Sequence, residues 1–183
     1  GQVVSGGYFA GLGLTPAAGR FLTPADDTPG ASPAAVLSHK YLKERFNADP
    51  GLIGKEIFIN KVAFTVVGVT PQGFDGTLQI GQTVEITIPV SKLAQVEPDG
   101  GAFDKPGKPA YWWLHVMGRL KPGATREQAR TFLNQNFQET ALSLLPEPRQ
   151  ADQPKTIAPA HYPVLVAKQG SRGMLEMRHR YSP

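Results

Sequence analysis

The sequence predicts an α+β fold made of many short elements, and three observations carry that reading. Residues 55–69, KEIFINKVAFTVVGV, hold two runs rich in β-branched and aromatic residues on either side of Asn60-Lys61, the pattern of a β-hairpin. Just before it, Ser38 stands as an N-cap ahead of Tyr41, Leu42, Arg45 and Phe46, which fall on one helical face. Further on, the alternating run 111–120 feeds a periodic segment at 125–144, a strand leading into a helix. Twenty glycines and 17 prolines in 183 residues require many turns and exclude a long-helix bundle.

From the start of the chain, Val3-Val4 reads as a short strand, with Ser5 as the cap of a helix carrying Tyr8, Phe9 and Leu12. Glycines at 6, 7, 11 and 13 match neither G-x-G-x-x-G nor G-x-x-x-x-G-K-[ST], so phosphate-cradling loops are excluded on spacing. Thr23-Pro24-Ala25-Asp26 has the order of a helix start, with Thr23 as cap, proline first and an acid in the first turn. Asp26 and Asp27 are adjacent acids with no third oxygen-rich cluster nearby, so capping is favoured over metal binding or acid–base work.

Asn47 is read as the left-handed exit of the 38–46 helix, and Asp49-Pro50-Gly51 stops it. Beyond the hairpin comes a loop containing an inward Phe74. VEITIPV then alternates, with Val84, Ile86 and Ile88 on one side and Glu85 and Thr87 on the other. The 91–110 segment, rich in Gly, Pro and charge, is the expected mobile linker. In YWWLHVMGRL, Trp112, Leu114, Val116 and Leu120 oppose Trp113, His115, Met117 and Arg119. Thr125 with Gln128 forms a capping-box pattern for a helix whose apolar stripe is Ala129, Phe132, Leu133 and Phe137. YPVLVA at 162–167 is the expected closing strand of a β-α-β unit. The tail is basic, with Arg172, Arg178 and Arg180.

Chemistry is hard to place on this chain. The absence of cysteine excludes disulfides and thiolate sites. His39, His115, His161 and His179 lie on separate elements without metal-ligand spacing, and no G-x-S-x-G elbow is present. The net charge of +4 is scattered, which argues against a nucleic-acid face. No window approaches the roughly twenty apolar residues of a membrane span. Because Gly1 is not preceded by an initiator Met, the expectation is a loop domain of a membrane protein.

The stretch VLS-x₃-L-x₃-F-x₂-DP-x₃-GK-x-I-x-I-N at 36–60, followed by FTVVGV and P-x-GF, resembles the MacB-like periplasmic core domain of ABC transporter permeases. GGYFAGLGLTPAAGRFLTPADD before it and VMGRLKPGATREQARTFLNQ after it agree in order, so the resemblance covers nearly the whole chain. It implies two subdomains. One is a mixed β-α-β, porter-like part, discontinuous over 1–30 and 110–183 and lacking an N-terminal strand–helix segment. The other is an inserted β-rich, sabre-like part over 31–109, with the linker near 91–110.

The resemblance further implies a non-enzymatic periplasmic domain of a bacterial inner-membrane protein, without catalytic, cofactor or metal sites. It would pass ATP-driven motion from a cytoplasmic ATPase, through flanking transmembrane helices, to substrate or an envelope partner. A second permease copy and outer-membrane proteins are further implied partners; nucleic acid is not. The alternative is a periplasmic module that captures a peptide, lipid or drug, which predicts an apolar pocket near Trp112 or Trp113.

Overall fold

A mixed six-stranded sheet, in the order β1-β6-β3-β5-β2 with β4 also paired to β5, organises the first 97 residues. The computed structural model describes residues 1–77, 83–97, 115–143, 164–168 and 170. The chain divides into two compact units, Gly1–Asp99 with Gly170–Pro183, and Gly100–Gln169.

In the first unit β1 is Gln2–Val4, β2 Ala18–Gly19, β3 Ala34–Leu37, β4 Glu56–Ile59, β5 Val62–Val69 and β6 Ile86–Pro89. The helices are α1, Tyr8–Leu12, α2, His39–Phe46, and α3, Leu93–Val96. The central strand β3 pairs parallel with β5 and antiparallel with β6, while β1 runs parallel to β6 at the edge. Both faces of β3 are covered, so all four of its residues are buried. Ala34 and Val36 meet Val4, Phe9 and Leu22 on one side. On the other, Ala35 packs with Phe64, Ile88 and Val96, and Leu37 with Leu42, Val66 and Val69. A register shift between Ala35 and Val36 against β5 lets Val66 and Val69 enter the same cluster although they are three residues apart.

Local chemistry explains the elements between. The Ser38 hydroxyl accepts from the Tyr41 amide at 3.0 Å, opening α2. Asn47 closes α2 in the left-handed region, φ 50°, where its short polar side chain is tolerated. Asp49 caps a 3₁₀ turn at Pro50–Leu52 through Gly51. Asn60 and Lys61 both take positive φ, 47° and 70°, the turn whose twist matches a two-residue hairpin. Phe74 packs as expected against the cluster around Phe9.

Two expectations change here. Ser5 does not cap α1 with its hydroxyl: Gly7 is the N-cap, and it is the Ser5 carbonyl that accepts from Tyr8 N at 3.0 Å. Thr87, on the side of β6 opposite Ile86 and Ile88, is buried, and its hydroxyl accepts from Gln2 Nε2 across the β1–β6 pair. The start of the expected linker is ordered, because Val90–Lys92 forms a 3₁₀ turn running into α3, with Val96 buried in the core. Residues 98–110 lie outside the described ones.

In the second unit α4, Arg126–Ser143, begins with the predicted capping box: Gln128 N donates to Thr125 Oγ1 at 3.2 Å and Thr125 N to Gln128 Oε1 at 2.9 Å. Of its apolar stripe, Ala129 and Phe137 are half-buried, whereas Phe132 and Leu133 are exposed. Of the strands expected at 111–120 and 162–167, the described parts, 115–120 and 164–167, are not in ladder pairing, and the rest lies outside the described residues. The Leu165 backbone is instead matched by a helix side chain. Leu165 N donates to Asn134 Oδ1 at 2.6 Å, and Asn134 Nδ2 donates to Leu165 O at 3.1 Å. A primary amide offers the same donor–acceptor pair as a neighbouring peptide, which is why it can replace one.

Candidate functional site

The two adjacent acids, expected as helix caps, bind separate parts of the first unit. Asp26 reaches back three residues, accepting from Thr23 N at 2.8 Å and Thr23 Oγ1 at 2.7 Å. Thr23 therefore donates to the acid rather than capping with its own oxygen, and residues 24–27 form turns, not a helix. Arg20 binds both Asp26 oxygens at 2.8 Å, a bidentate pair. Those guanidinium hydrogen bonds hold the Asp26 carboxyl well below the usual carboxylate range, aided by Thr23 and opposed by partial burial.

Asp27 points elsewhere. Its Oδ2 accepts from Gly6 N at 3.0 Å and its Oδ1 from Ser91 N at 2.9 Å. Gly6 lies two residues past β1, and Ser91 two residues past β6. One carboxylate thus ties the backbones that follow two parallel neighbouring strands.

Beside it lies the residue that the sequence did not flag. Lys92 is fully buried, and its Nζ donates to the carbonyls of Thr28, Pro29 and Ala31 at 3.0, 3.1 and 2.6 Å. The three donors of a lysine head meet three acceptors, so burial leaves none of them without a partner. Further along, Asn60 Nδ2 donates to Val96 O at 3.0 Å, holding the end of α3 to the hairpin turn. The segment by which the chain leaves the sheet is therefore fixed at both ends.

The other flagged residues are not brought together. His39 opens α2, its backbone N–H donating to Thr70 Oγ1 at 3.3 Å, and His115 is exposed in the second unit. His161, His179, Trp112, Trp113 and the arginines 172, 178 and 180 lie outside the described residues. No group of three or more His, Cys, Asp or Glu suited to a metal occurs among the described residues. A shallow, open depression of about 530 Å³ lies against α2, lined by His39, Lys40, Lys43 and Glu44, with Gln72, Gly73 and Asp75 opposite. Its charges are mixed, and it pairs no nucleophile with a base.

Residues 1–97 thus form a mixed α/β unit in which Asp27 and Lys92 are committed to binding its own backbone. The model of the MacB-like periplasmic core domain matches residues 1–135, and the chain belongs to that family, the periplasmic domain family of ABC transporter permeases. Among solved structures seven chains match. One is the periplasmic region of MacB from Actinobacillus actinomycetemcomitans, at 22% identity and a TM-score of 0.52, which shares the fold. That match covers 76% of this chain and 55% of the other, so the present chain corresponds to little more than half of that periplasmic region. No curated protein sequence matches. Among the described residues no helix is long and apolar enough to cross a membrane.

Proposed function

We propose that this domain is a non-enzymatic, extracytoplasmic transmission element. It passes ATP-driven motion of an ABC transporter permease to substrate or to an envelope partner, for export or envelope work. The observation that carries this reading is the fixed exit of the first unit. A part that transmits displacement must not absorb it in a slack connection. Here Asp27, Lys92 and Asn60 hold residues 91–96 to the body from which they leave. Family membership supplies the setting, in which flanking transmembrane helices and a cytoplasmic ATPase belong to the parent transporter. A second permease copy and periplasmic or outer-membrane proteins are its proposed partners, and the division into porter-like 1–30 with 110–183 and sabre-like 31–109 is retained as part of the proposal.

The test uses the complete permease with its ATPase in proteoliposomes. An eight-residue Gly-Ser insertion directly after Glu97 introduces slack beyond the residues held by Asp27, Lys92 and Asn60. Transmission predicts that ATP hydrolysis persists while transport is lost. Full transport with the insertion in place would refute it. Ligand capture, the competing role, predicts saturable thermal stabilisation of this chain by a peptide, lipid or drug.

A further inference from the structure

We infer that Asp27 and Lys92 form a mechanical stop: pulled by its exit, the first unit gives way at residues 93–97 and then holds at Ser91-Lys92 before load reaches the sheet. The inference takes its purpose from the transmission reading, but it concerns the order in which contacts fail, and that order follows from the contacts themselves.

Traced backward from Glu97, the chain is first held by one neutral hydrogen bond, Asn60 Nδ2 to Val96 O, and by the packing of a four-residue helix. Next come the three Lys92 bonds and the Asp27–Ser91 bond, four contacts on two consecutive residues, all of them to or from an ionisable side chain. Bonds of that kind are about twice as strong as neutral ones. The first group is therefore the weaker and yields first.

What Lys92 grips is itself anchored. The 28–31 loop follows directly on Asp26, which Arg20 clamps one residue past β2, and on Asp27, which holds Gly6 two residues past β1. β1 and β2 are at opposite ends of the strand order. Load taken by Lys92 is thus shared between both margins of the sheet. Past the stop, β6 pairs parallel with β1 at Gln2–Thr87, Val3–Ile88 and Val4–Pro89. Tension between the start of β1 and the end of β6 runs along this ladder and loads its bonds together. Tension between Gly1 and Glu85, at the same end of both strands, peels them one at a time.

The chain contains no cysteine, so introduced thiols are unique attachment points for a single-molecule tether on the full chain. One handle is placed on a cysteine added ahead of Gly1 and the other on Glu97→Cys. At constant force the stop predicts a first extension of roughly 10 Å, the about 17 Å of residues 93–97 when stretched less the about 7 Å they span when folded as α3, and then a pause. Lys92→Met shortens the pause at least about tenfold, the worth of one hydrogen bond to a charged group. With the second handle moved to Glu85→Cys, the same substitution leaves the rupture rate within about twofold. Asp27→Asn, which keeps one of two acceptors, serves as a milder variant should Lys92→Met not fold. Absence of the pause in the unsubstituted chain, or equal acceleration in both pulling directions, overturns the stop, while the Gly-Ser insertion test of transmission is decided separately.

Discussion

Gly68→Ala tests how tightly the β2 edge governs the loop that cages Lys92. A Cβ at Gly68 would lie 1.9 Å from the Arg20 carbonyl oxygen, 2.8 Å from its carbon and 3.1 Å from its nitrogen. All three are backbone atoms, so no rotamer change relieves the clash, and the 17–20 segment must move by more than about 1 Å to restore van der Waals contact. That movement breaks Arg20 N–Val67 O, 2.8 Å, and Ala17 N–Val69 O, 2.9 Å, and disturbs the Ala18–Val69 and Gly19–Gly68 pairing. Two backbone bonds at about 1 kcal/mol each, with lost packing of Ala18, sum to about 2–4 kcal/mol. Since the chain has two compact units, a bulk unfolding curve is a poor assay. Native-state hydrogen exchange is local, and at about 1.4 kcal/mol per decade the Arg20 and Ala17 amides should exchange at least about thirtyfold faster. The Ser91 amide, held by Asp27 in the adjoining loop, should follow with a smaller gain. Less than about threefold acceleration at Arg20 would refute the claim that Gly68 is required by close approach.

Asp26 carries a pH signature whose sign is fixed by its lowered pKa. Its contribution is fully present above the ordinary carboxylate pKa of about 4 and is lost as pH falls through the lowered folded value. Asp26→Asn should accordingly flatten the acid limb of the first unit's stability, read by exchange of the Thr23 amide between about pH 5 and pH 2. Lys61→Gly should stabilise the hairpin by roughly 0.5 kcal/mol, because φ 70° costs lysine what it does not cost glycine; a rise in urea midpoint of the β5 amides checks it. Ser38→Ala should cost about 1 kcal/mol by removing the bond to Tyr41 N, seen as faster exchange at that amide. Asn134→Ala should abolish protection of the Leu165 amide, whose acceptor in this structure is that side chain, while the N-terminal capping box of α4 stays intact.

The parts that were legible in sequence are those where a local rule and the tertiary structure agree. Ser38, Asn47 and Asn60 each hold a backbone conformation that their own side chain favours, so α2 and the hairpin could be placed to within a residue or two. The capping box of α4 is of the same kind. β3 was missed because Ala34-Ala35-Val36-Leu37 is buried on both faces and so shows no alternation. β2, two residues long, owes its pairing to Gly68 rather than to any propensity of its own. The alternation of Thr87 with Ile86 and Ile88 assigns its side of β6 but not what covers that side, which is Gln2 and the pairing with β1.

The anchor was the least legible feature. Asp27 lies 21 and 64 residues from the two amides it grips and Lys92 lies 61 to 64 residues from its three carbonyls, and a charged residue inside a Gly- and Pro-rich stretch ordinarily signals solvent. A lysine three residues past an apolar strand, directly before Leu93 and four residues before Val96, is the faint local trace it left. The paired acids read as caps on local spacing, whereas the partners of Asp27, Gly6 and Ser91, are long-range and no local pattern names them.

The most direct test of transmission is whether the first unit moves when ATP is hydrolysed on the far side of the membrane. A donor fluorophore on Lys61→Cys at the exposed hairpin turn, with acceptor lipids in the outer surface of the bilayer, reports that movement in the complete permease reconstituted with its ATPase. The account predicts an energy-transfer efficiency that shifts with ATP and returns when nucleotide is exhausted, and no shift with a hydrolysis-dead ATPase. An efficiency that stays constant while transport proceeds would contradict it.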